Sequence, residues 1–378
     1  MAITSSAPDY DSYIKTRYFP ALDGLRCISI VAVILFHLYH NQYRIAAHGN
    51  MGVWLFFAIS GFLITTLLLR ERSANGRISL RKFYMRRSLR IFPLYYAVVC
   101  LYVILTLLVQ RHTQQGREFF HHVPYYLTYT SNWFVTLAGA QGVTFYFAWS
   151  LATEEQFYLA WPWIIRFTRR WYLPVVFIFF LIGLKFLIGD LESRGLIDPQ
   201  ALLPRIIMSI AYPICVGCIV AFVLHNRHGF AIARRIIGWF GADLTIAVII
   251  GISIYFLNES LMLAIWMVAL VAAVCIHPQN IFARLMSFRP VRYIGQISYG
   301  MYLLHMMCMQ ITRGIQTRFR VPTQYVWIIE IGLAIGVASA SYWTFERWFL
   351  KLKERFSARP AKKQDVAIIA EPVVAERT

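Results

Sequence analysis

Leu22-Asp23-Gly24-Leu25-Arg26 runs into a 13-residue stretch, Cys27 to Tyr39, that is apolar apart from Ser29 and His37. As a helix, residues eleven apart return to the same face, because three turns of 3.6 residues make 10.8. Arg26 and His37 therefore share one stripe, at roughly 16 Å separation by the rise per residue. An ionisable group inside a membrane span is costly and faces a cavity or a partner. Read as structure alone, His37 is a histidine bonded to a neighbouring helix. Read as chemistry, it is a titratable group on a polar seam that starts at Arg26.

The rest of the chain supports a membrane setting. Of 378 residues, 58% are hydrophobic and only 15% charged, with mean hydropathy +0.54. That excludes a soluble globule and points to helices packed in lipid. The net charge of +19 would suit nucleic acid, but the basic residues fall in short clusters between apolar runs, the pattern of cytoplasmic loops. No small-residue cleavage site follows the first apolar run, so it reads as an uncleaved span, not a signal peptide. The six cysteines (27, 100, 215, 218, 275 and 308) all lie in apolar stretches. Cys215-x-x-Cys218 has no second pair, so neither a metal site nor a disulfide framework is expected.

Ten apolar runs are evident, at about 21–40, 52–69, 91–109, 145–165, 172–188, 206–224, 240–257, 261–276, 294–311 and 325–349. Each is read as a crossing helix, giving an all-α polytopic membrane bundle of about ten transmembrane helices. With the N-terminus inside, Lys and Arg divide 28 inside to 8 outside, Lys185 lying within a span. Both termini are therefore expected to be cytoplasmic. The segment with Arg313, Arg318 and Arg320 is the exception to that bias. Residues 1–350 read as one membrane domain, and residues 351–378 as a basic, disordered cytoplasmic tail. The outside loop 110–144 carries His112, His121, His122, Tyr125, Tyr126 and Trp133. It reads as an aromatic interface belt, with a lid over an acceptor site as the alternative.

Several stretches carry candidate chemistry. Ser60-Gly61 in the second run is mainly a packing signal. Arg86, Arg87 and Arg90 fall at i, i+1 and i+4, so Arg87 and Arg90 project from one face. Their guanidinium forks suit phosphate oxygens, while positive-inside charge or contact with anionic lipid explains them as structure. In Trp149 to Pro162, Glu154 and Glu155 are adjacent, each costing ~2.5–3.5 kcal/mol in a span unless paired or wetted. They point about 100° apart and so take different partners. Counted from the outer edge both lie in the outer half, and His37 lies past the middle, so the three are expected to meet. Ser298, Tyr302 and His305 form a second polar stripe at i, i+4 and i+7. His305 is a second catalytic group or a partner for intramembrane charge. Glu346 and Arg347, near the inner surface, would pair with the inner basic cluster.

Together these stretches resemble the acyltransferase family 3 membrane proteins, which O-acylate cell-surface polysaccharides and related acceptors. The resemblance rests on Leu22–Arg26 with ten residues before His37, Leu55–Ile64, Arg87–Tyr95, Trp149–Pro162, Ser298–His305 and Tyr342–Phe349, in the family's order over residues 18–350. It implies ten core helices, an acyl-CoA donor on the cytoplasmic side and an acceptor on the far side. It also implies that Arg26 and His37 form the family's Arg-x10-His pair, and Arg87 and Arg90 its Arg-x-x-Arg element. The chain departs from the pattern at Cys27, where glycine is common, at Trp54, where aspartate is common, and at Ala152-Thr153, where Ser-Val is usual. No extracellular esterase-like domain is expected after the last span.

The expected function is an integral-membrane O-acyltransferase of the bacterial inner (plasma) membrane. It would move an acyl group, acetyl above all, from cytoplasmic acyl-CoA to a hydroxyl of a cell-surface or exported carbohydrate or glycolipid, with no permanently bound cofactor. His37 would act as general base or transient acyl carrier. Glu154 or Glu155 would hold its tautomer or stabilise the imidazolium. Asp23, Arg26, Arg87, Arg90, Ser298, Tyr302 and His305 would bind donor or substrate. One alternative changes the acceptor to a small molecule such as a macrolide, or to a membrane lipid. Another is a non-enzymatic transporter or flippase, which no inverted repeat or paired broken helices in the sequence support.

Overall fold

In a bilayer, a helix satisfies every backbone group within its own segment, and this chain uses little else. A computed structural model describes residues 9–135, 145–256 and 260–356, and among them there is no strand. The short α1 (Tyr10–Lys15) precedes α2 (Pro20–Tyr39), which opens on a proline where a missing N–H is harmless. After α3 (Arg44–Ala47) comes α4 (Met51–Asn75), ended by Gly76 in the left-handed region at φ 69°. Helix α5 (Leu80–Leu105) is capped by the Ser79 hydroxyl, which accepts from the Lys82 N–H, and continues through a π-turn, Thr106–Gln110. Helices α6 (Gln114–Leu127), α7 (Ser131–Phe134), α8 (Ala148–Phe167) and α9 (Tyr172–Ser193) follow. Next are α10 (Leu202–Met208), α11 (Tyr212–His225), α12 (Arg227–Ile237), α13 (Ala242–Phe256), α14 (Leu261–Ile276) and α15 (Ile281–Met286). The chain ends in α16 (Arg289–Phe319), α17 (Val326–Ser341), a π-turn at Tyr342–Glu346 and α18 (Arg347–Glu354).

Among the described residues, five helical stretches are long and apolar enough to cross a membrane, or seven when each of two bent pairs is one span. The pairs are α10 with α11, bent by 48°, and α12 with α13, bent by 72°. These paired breaks correct the sequence reading, which saw none; short polar or glycine-bearing joints inside apolar runs do not disturb a hydropathy pattern. Helices α8 and α16 fall outside the apolar count because they carry the polar stripes. Helix α14 falls outside because it has 16 residues.

Small residues set the closest approaches. A Cβ on Gly61 would overlap the Ile214 carbonyl, and one on Gly217 would meet the Ala58 carbonyl at 2.7 Å. Helices α4 and α11 thus lie backbone to backbone. A Cβ on Gly295 would overlap the Asp23 carbonyl and one on Gly24 the Met286 backbone, which seats the start of α2 against α15 and α16. Two apolar cores adjoin along α2 and α4, one shared with α5, α8 and α16, the other centred on α14. Helix α9 turns Phe179, Phe180, Phe186 and Leu187 outward.

Two other expectations change. The 110–144 segment is not simply an aromatic belt. Its described part folds as α6 and α7, burying Phe119, Tyr126 and Tyr129 against α5, where the Tyr95 hydroxyl donates to the Tyr126 carbonyl at 2.8 Å; residues 136–144 lie outside the described residues. Helix α16 has 31 residues, roughly 46 Å at the helical rise, well beyond a ~30 Å hydrocarbon layer. Arg313 and Arg318 thus ride on a helical extension, with Arg313 in electrostatic reach of Glu330. Helix α18 runs from Arg347 to Glu354, and the tail from 357 lies outside the described residues.

Candidate active site

The inner stripe of α2 places Arg26 and His37 in two different polar regions. In the first, Arg26 donates to Asp23 at 2.8 Å, and Asp23 also accepts from the Tyr18 hydroxyl. Asp23 therefore orients Arg26 one turn away; it is already committed to partners of its own. From α5, Arg86 pairs with Glu71 at 3.1 Å and is used structurally. Arg87 and Arg90 turn inward instead. The Arg87 guanidinium lies 4.5 Å from the centre of the Tyr158 ring. Arg90 lies within electrostatic range of Arg26, Arg87 and Asp23. Neither has a hydrogen bond or an ion pair within 4.0 Å among the described residues.

The glutamates of α8 belong to this same region. Glu154 accepts from the Ser60 hydroxyl at 2.5 Å, and Ser60 accepts from the Tyr158 hydroxyl at 2.9 Å. Arg87 and Arg26 are the cations near Glu154, and Arg87 the one near Glu155. The two carboxyls do take different neighbours. Glu155 lies among Tyr95, Tyr96, Tyr129 and Tyr299. Glu346 joins them from the π-turn after α17, near Arg90 and accepting from Ser341 at 3.2 Å. A π-turn inserts an extra residue and re-aims a side chain, a frequent device at functional sites. Arg347 stacks on Trp343 at 4.7 Å.

The second region surrounds His37. Its Nδ1 lies 2.8 Å from the Val33 carbonyl. A carbonyl only accepts, so Nδ1 carries the proton of the neutral ring and Nε2 offers its lone pair. The His37 and His305 rings are 5.0 Å apart, with Tyr146 at 5.9 Å from His37. His305 repeats the arrangement, with Nδ1 2.6 Å from the Tyr302 carbonyl. Its ring is fully buried, and among the described residues its Nε2 has no partner. The Tyr302 hydroxyl is 2.6 Å from Ser150 Oγ and 3.1 Å from the Phe147 carbonyl. Ser298, one turn before Tyr302, is buried.

One expectation is therefore corrected. Neither glutamate bonds His37 among the described residues, and the Val33 carbonyl orients the ring in their place. Depth counted from the ends of α8 put carboxyl and imidazole together. Packing instead bonds Glu154 to Ser60 within electrostatic range of Arg26 and Arg87, and leaves Glu155 within range of Arg87. Ser60, Ser150, Tyr158 and Glu346 complete these networks. Ser150 and Glu154 stand at i and i+4 on one helical face, a spacing that could have flagged the serine. Ser60 looked like packing because it precedes a glycine.

Residues 19–344 match the profile of a family described as an acyltransferase domain. The chain is similar to O-acetyltransferase OatA of Staphylococcus aureus, at 30% identity over 93% of this chain and 60% of that protein. It is also similar to peptidoglycan O-acetyltransferase OatA of Listeria monocytogenes, at 28% over 86% of this chain and 55% of that protein. A putative peptidoglycan O-acetyltransferase, YrhL of Bacillus subtilis, is 26% identical over 89% of this chain and 56% of that protein. The chain thus spans about 60% of the length of the first of these relatives. No solved structure matches it. With the match running through every polar helix of both regions, the chain belongs to the acyltransferase family 3.

Proposed function

We propose that the chain is a membrane-embedded O-acetyltransferase acting on a hydroxyl of cell-wall carbohydrate, with acetyl-CoA as donor. The acceptor class is taken from relatives named O-acetyltransferase and peptidoglycan O-acetyltransferase. Helices α2, α4, α5, α8, α9, α10–α11, α12–α13, α14, α16 and α17 would make ten passes through the plasma membrane with both termini cytoplasmic. The 28 to 8 bias of basic residues supports that orientation. The donor phosphates would meet Arg87 and Arg90, whose guanidinium donors have no bonded partner among the described residues.

The observation that carries the reading is His37, an interior imidazole whose Nδ1 is fixed by the Val33 carbonyl and whose Nε2 is left to accept. That is the geometry of a general base. Nε2 would take the acceptor's hydroxyl proton as the oxygen adds to the acyl carbonyl. The C–S bond then breaks, and the imidazolium returns the proton to the departing thiolate. An ester and a free thiol are the products. The test incubates the purified full chain with radiolabelled acetyl-CoA and peptidoglycan fragments. Label is expected in the glycan as an alkali-labile ester, and not with His37→Gln of normal fold. Transfer at full rate by that variant would overturn the assignment. The two bent helix pairs favour a second reading, solute passage without chemistry. Glycan crossing vesicles unmodified, with no ester formed, would select it.

A further inference from the structure

One turn round α8 from the glutamates lies a cavity of about 300 Å³, at the lower end of the range that holds small ligands. Its placement follows from helix geometry. Trp149 and Thr153 line it, whereas Ser150 and Glu154, each one residue on, point about 100° away into the polar regions already described. Trp54 and Phe57 of α4 line it as well, the Phe57 ring standing edge-on to Trp149 with centroids 6.2 Å apart.

The far side of the cavity is the break between α10 and α11 at Ser209-Ile210-Ala211. Irregular backbone at membrane depth is tolerated where it is buried in protein or lines a cavity. Here the freed Ile210 carbonyl accepts from the Lys185 ammonium at 2.6 Å, and that ammonium sits 4.4 Å from the centre of the Tyr212 ring. Lys185 comes from α9, a helix whose neighbouring side chains face outward and are aromatic or aliphatic. A cation in such a helix costs ~2.5–3.5 kcal/mol on insertion scales, so its inward aim at the cavity calls for a reason. A second cation, Arg205 of α10, reaches the same cavity, its guanidinium making no hydrogen bond or ion pair among the described residues. The polar wall is held in place. Asn132 donates to Gln156 at 2.9 Å, and the Trp133 indole donates to Ser209 at 3.1 Å. No carboxylate lines the cavity among the described residues.

Flat aromatic walls, an anchored amide and hydroxyl, two cations and no acid make a site for a sugar ring that carries a negative charge. We propose that this cavity is the acceptor site, and that it selects a sugar bearing an anionic group. The ring would lie against Trp54 and Trp149, and the anion would face Arg205 and Lys185. The shared chemistry is an oxyanion on a pyranose, supplied either by the carboxylate of a sugar acid or by the phosphate of a lipid-linked sugar. This inference rests on the proposed acyl transfer for its use, but the site can be tested by binding alone.

The test titrates the full chain in detergent with three probes, reading tryptophan fluorescence from the cavity walls. The probes are a disaccharide containing N-acetylmuramic acid, a polyprenyl-phosphate sugar and neutral di-N-acetylglucosamine. At least one anionic probe is expected to bind ten times or more tighter than the neutral one, and which of the two does so identifies the source of the charge. Arg205→Gln should bring that preference to within twofold, and Arg205→Lys should restore most of it. Equal binding of all three by the unaltered chain would overturn the proposal, as would a preference untouched by Arg205→Gln in a protein of unchanged melting temperature. Acetyl transfer without charge preference would remove this site and leave the enzyme. Charge-selective binding without any transfer would do the reverse.

Discussion

The two polar regions inside the bundle are built on opposite lines. Around Arg26 the groups are charged and compensate one another. Three arginines face Asp23, Glu154, Glu155 and Glu346, with one close ion pair, Arg26–Asp23, among them. Around His37 the polar groups are neutral and bonded to backbone carbonyls, and ring nitrogens are left over. Charge in a low-dielectric interior is expensive and must be balanced. An unclaimed lone pair costs less and remains available. The first arrangement suits holding an anion in place, the second suits moving a proton.

The sharpest way to break that contrast is to remove the lone pair. His37→Ala should lower turnover by about 10²–10⁴-fold, the range for losing a general base. The melting temperature should stay close to that of the unaltered chain, since the deleted ring bonds only a carbonyl of its own helix. Steady-state acetyl transfer alongside a thermal melt reads both. A large fall in stability with modest loss of rate would make His37 a packing residue.

In the charged region the ordering is reversed, with stability moving more than chemistry. Arg87→Met leaves Glu154 and Glu155 short of a cation and removes the stack on Tyr158. A loss of roughly 1–3 kcal/mol is expected, less than for a bonded pair because no ion pair is broken. Adding Glu155→Gln should recover part of it, a coupling that a double-mutant cycle measures. The apparent affinity for acetyl-CoA should fall while saturated turnover changes little. Strict additivity of the two substitutions would show that Arg87 does not compensate Glu155.

These two regions also show what could be read from the chain and what could not. The helical character, the common face of Arg87 and Arg90, and the shared stripe of Arg26 and His37 follow from residue spacing, because spacing fixes direction on a helix. The depth of Glu154 relative to His37 does not follow. It depends on where α4 delivers Ser60, and thus on Gly61 meeting Ile214 across a helix pair. The breaks before Tyr212 and before Ala242 are equally hidden, since a bend needs only a few residues without helical bonds. Glu346, expected beside the inner basic cluster, does lie near Arg90, but the π-turn that aims it is announced by no periodicity.

Ser60 tests that hidden contact directly. Ser60→Ala removes the hydroxyl between Glu154 and Tyr158, and a destabilisation of about 1–3 kcal/mol is expected for a buried acceptor left short of its donor. Ser60→Thr keeps the hydroxyl and should recover most of the loss, provided its methyl group fits beside α8. A melt unchanged in Ser60→Ala would mean that Glu154 is held by the arginines alone.

Tyr302 touches both regions, and it carries the smallest expected effect. Its hydroxyl bonds Ser150 and the Phe147 carbonyl, it lies in electrostatic range of Glu154, and its ring is 5.6 Å from that of His305. Tyr302→Phe deletes only the hydroxyl. Ser150 keeps a partner, because it can donate to the Phe147 carbonyl at 3.1 Å. His305 keeps its anchor, because that bond is to the Tyr302 backbone. The structural cost should therefore be about 0.5–1.5 kcal/mol, one ordinary hydrogen bond. If the charged and neutral regions work separately, turnover should fall by less than about tenfold, the rate equivalent of such a loss. If the phenol instead passes the influence of Glu154 to the imidazoles, the same substitution should cost as much as His37→Ala. Matched losses in those two variants would merge the two regions into one.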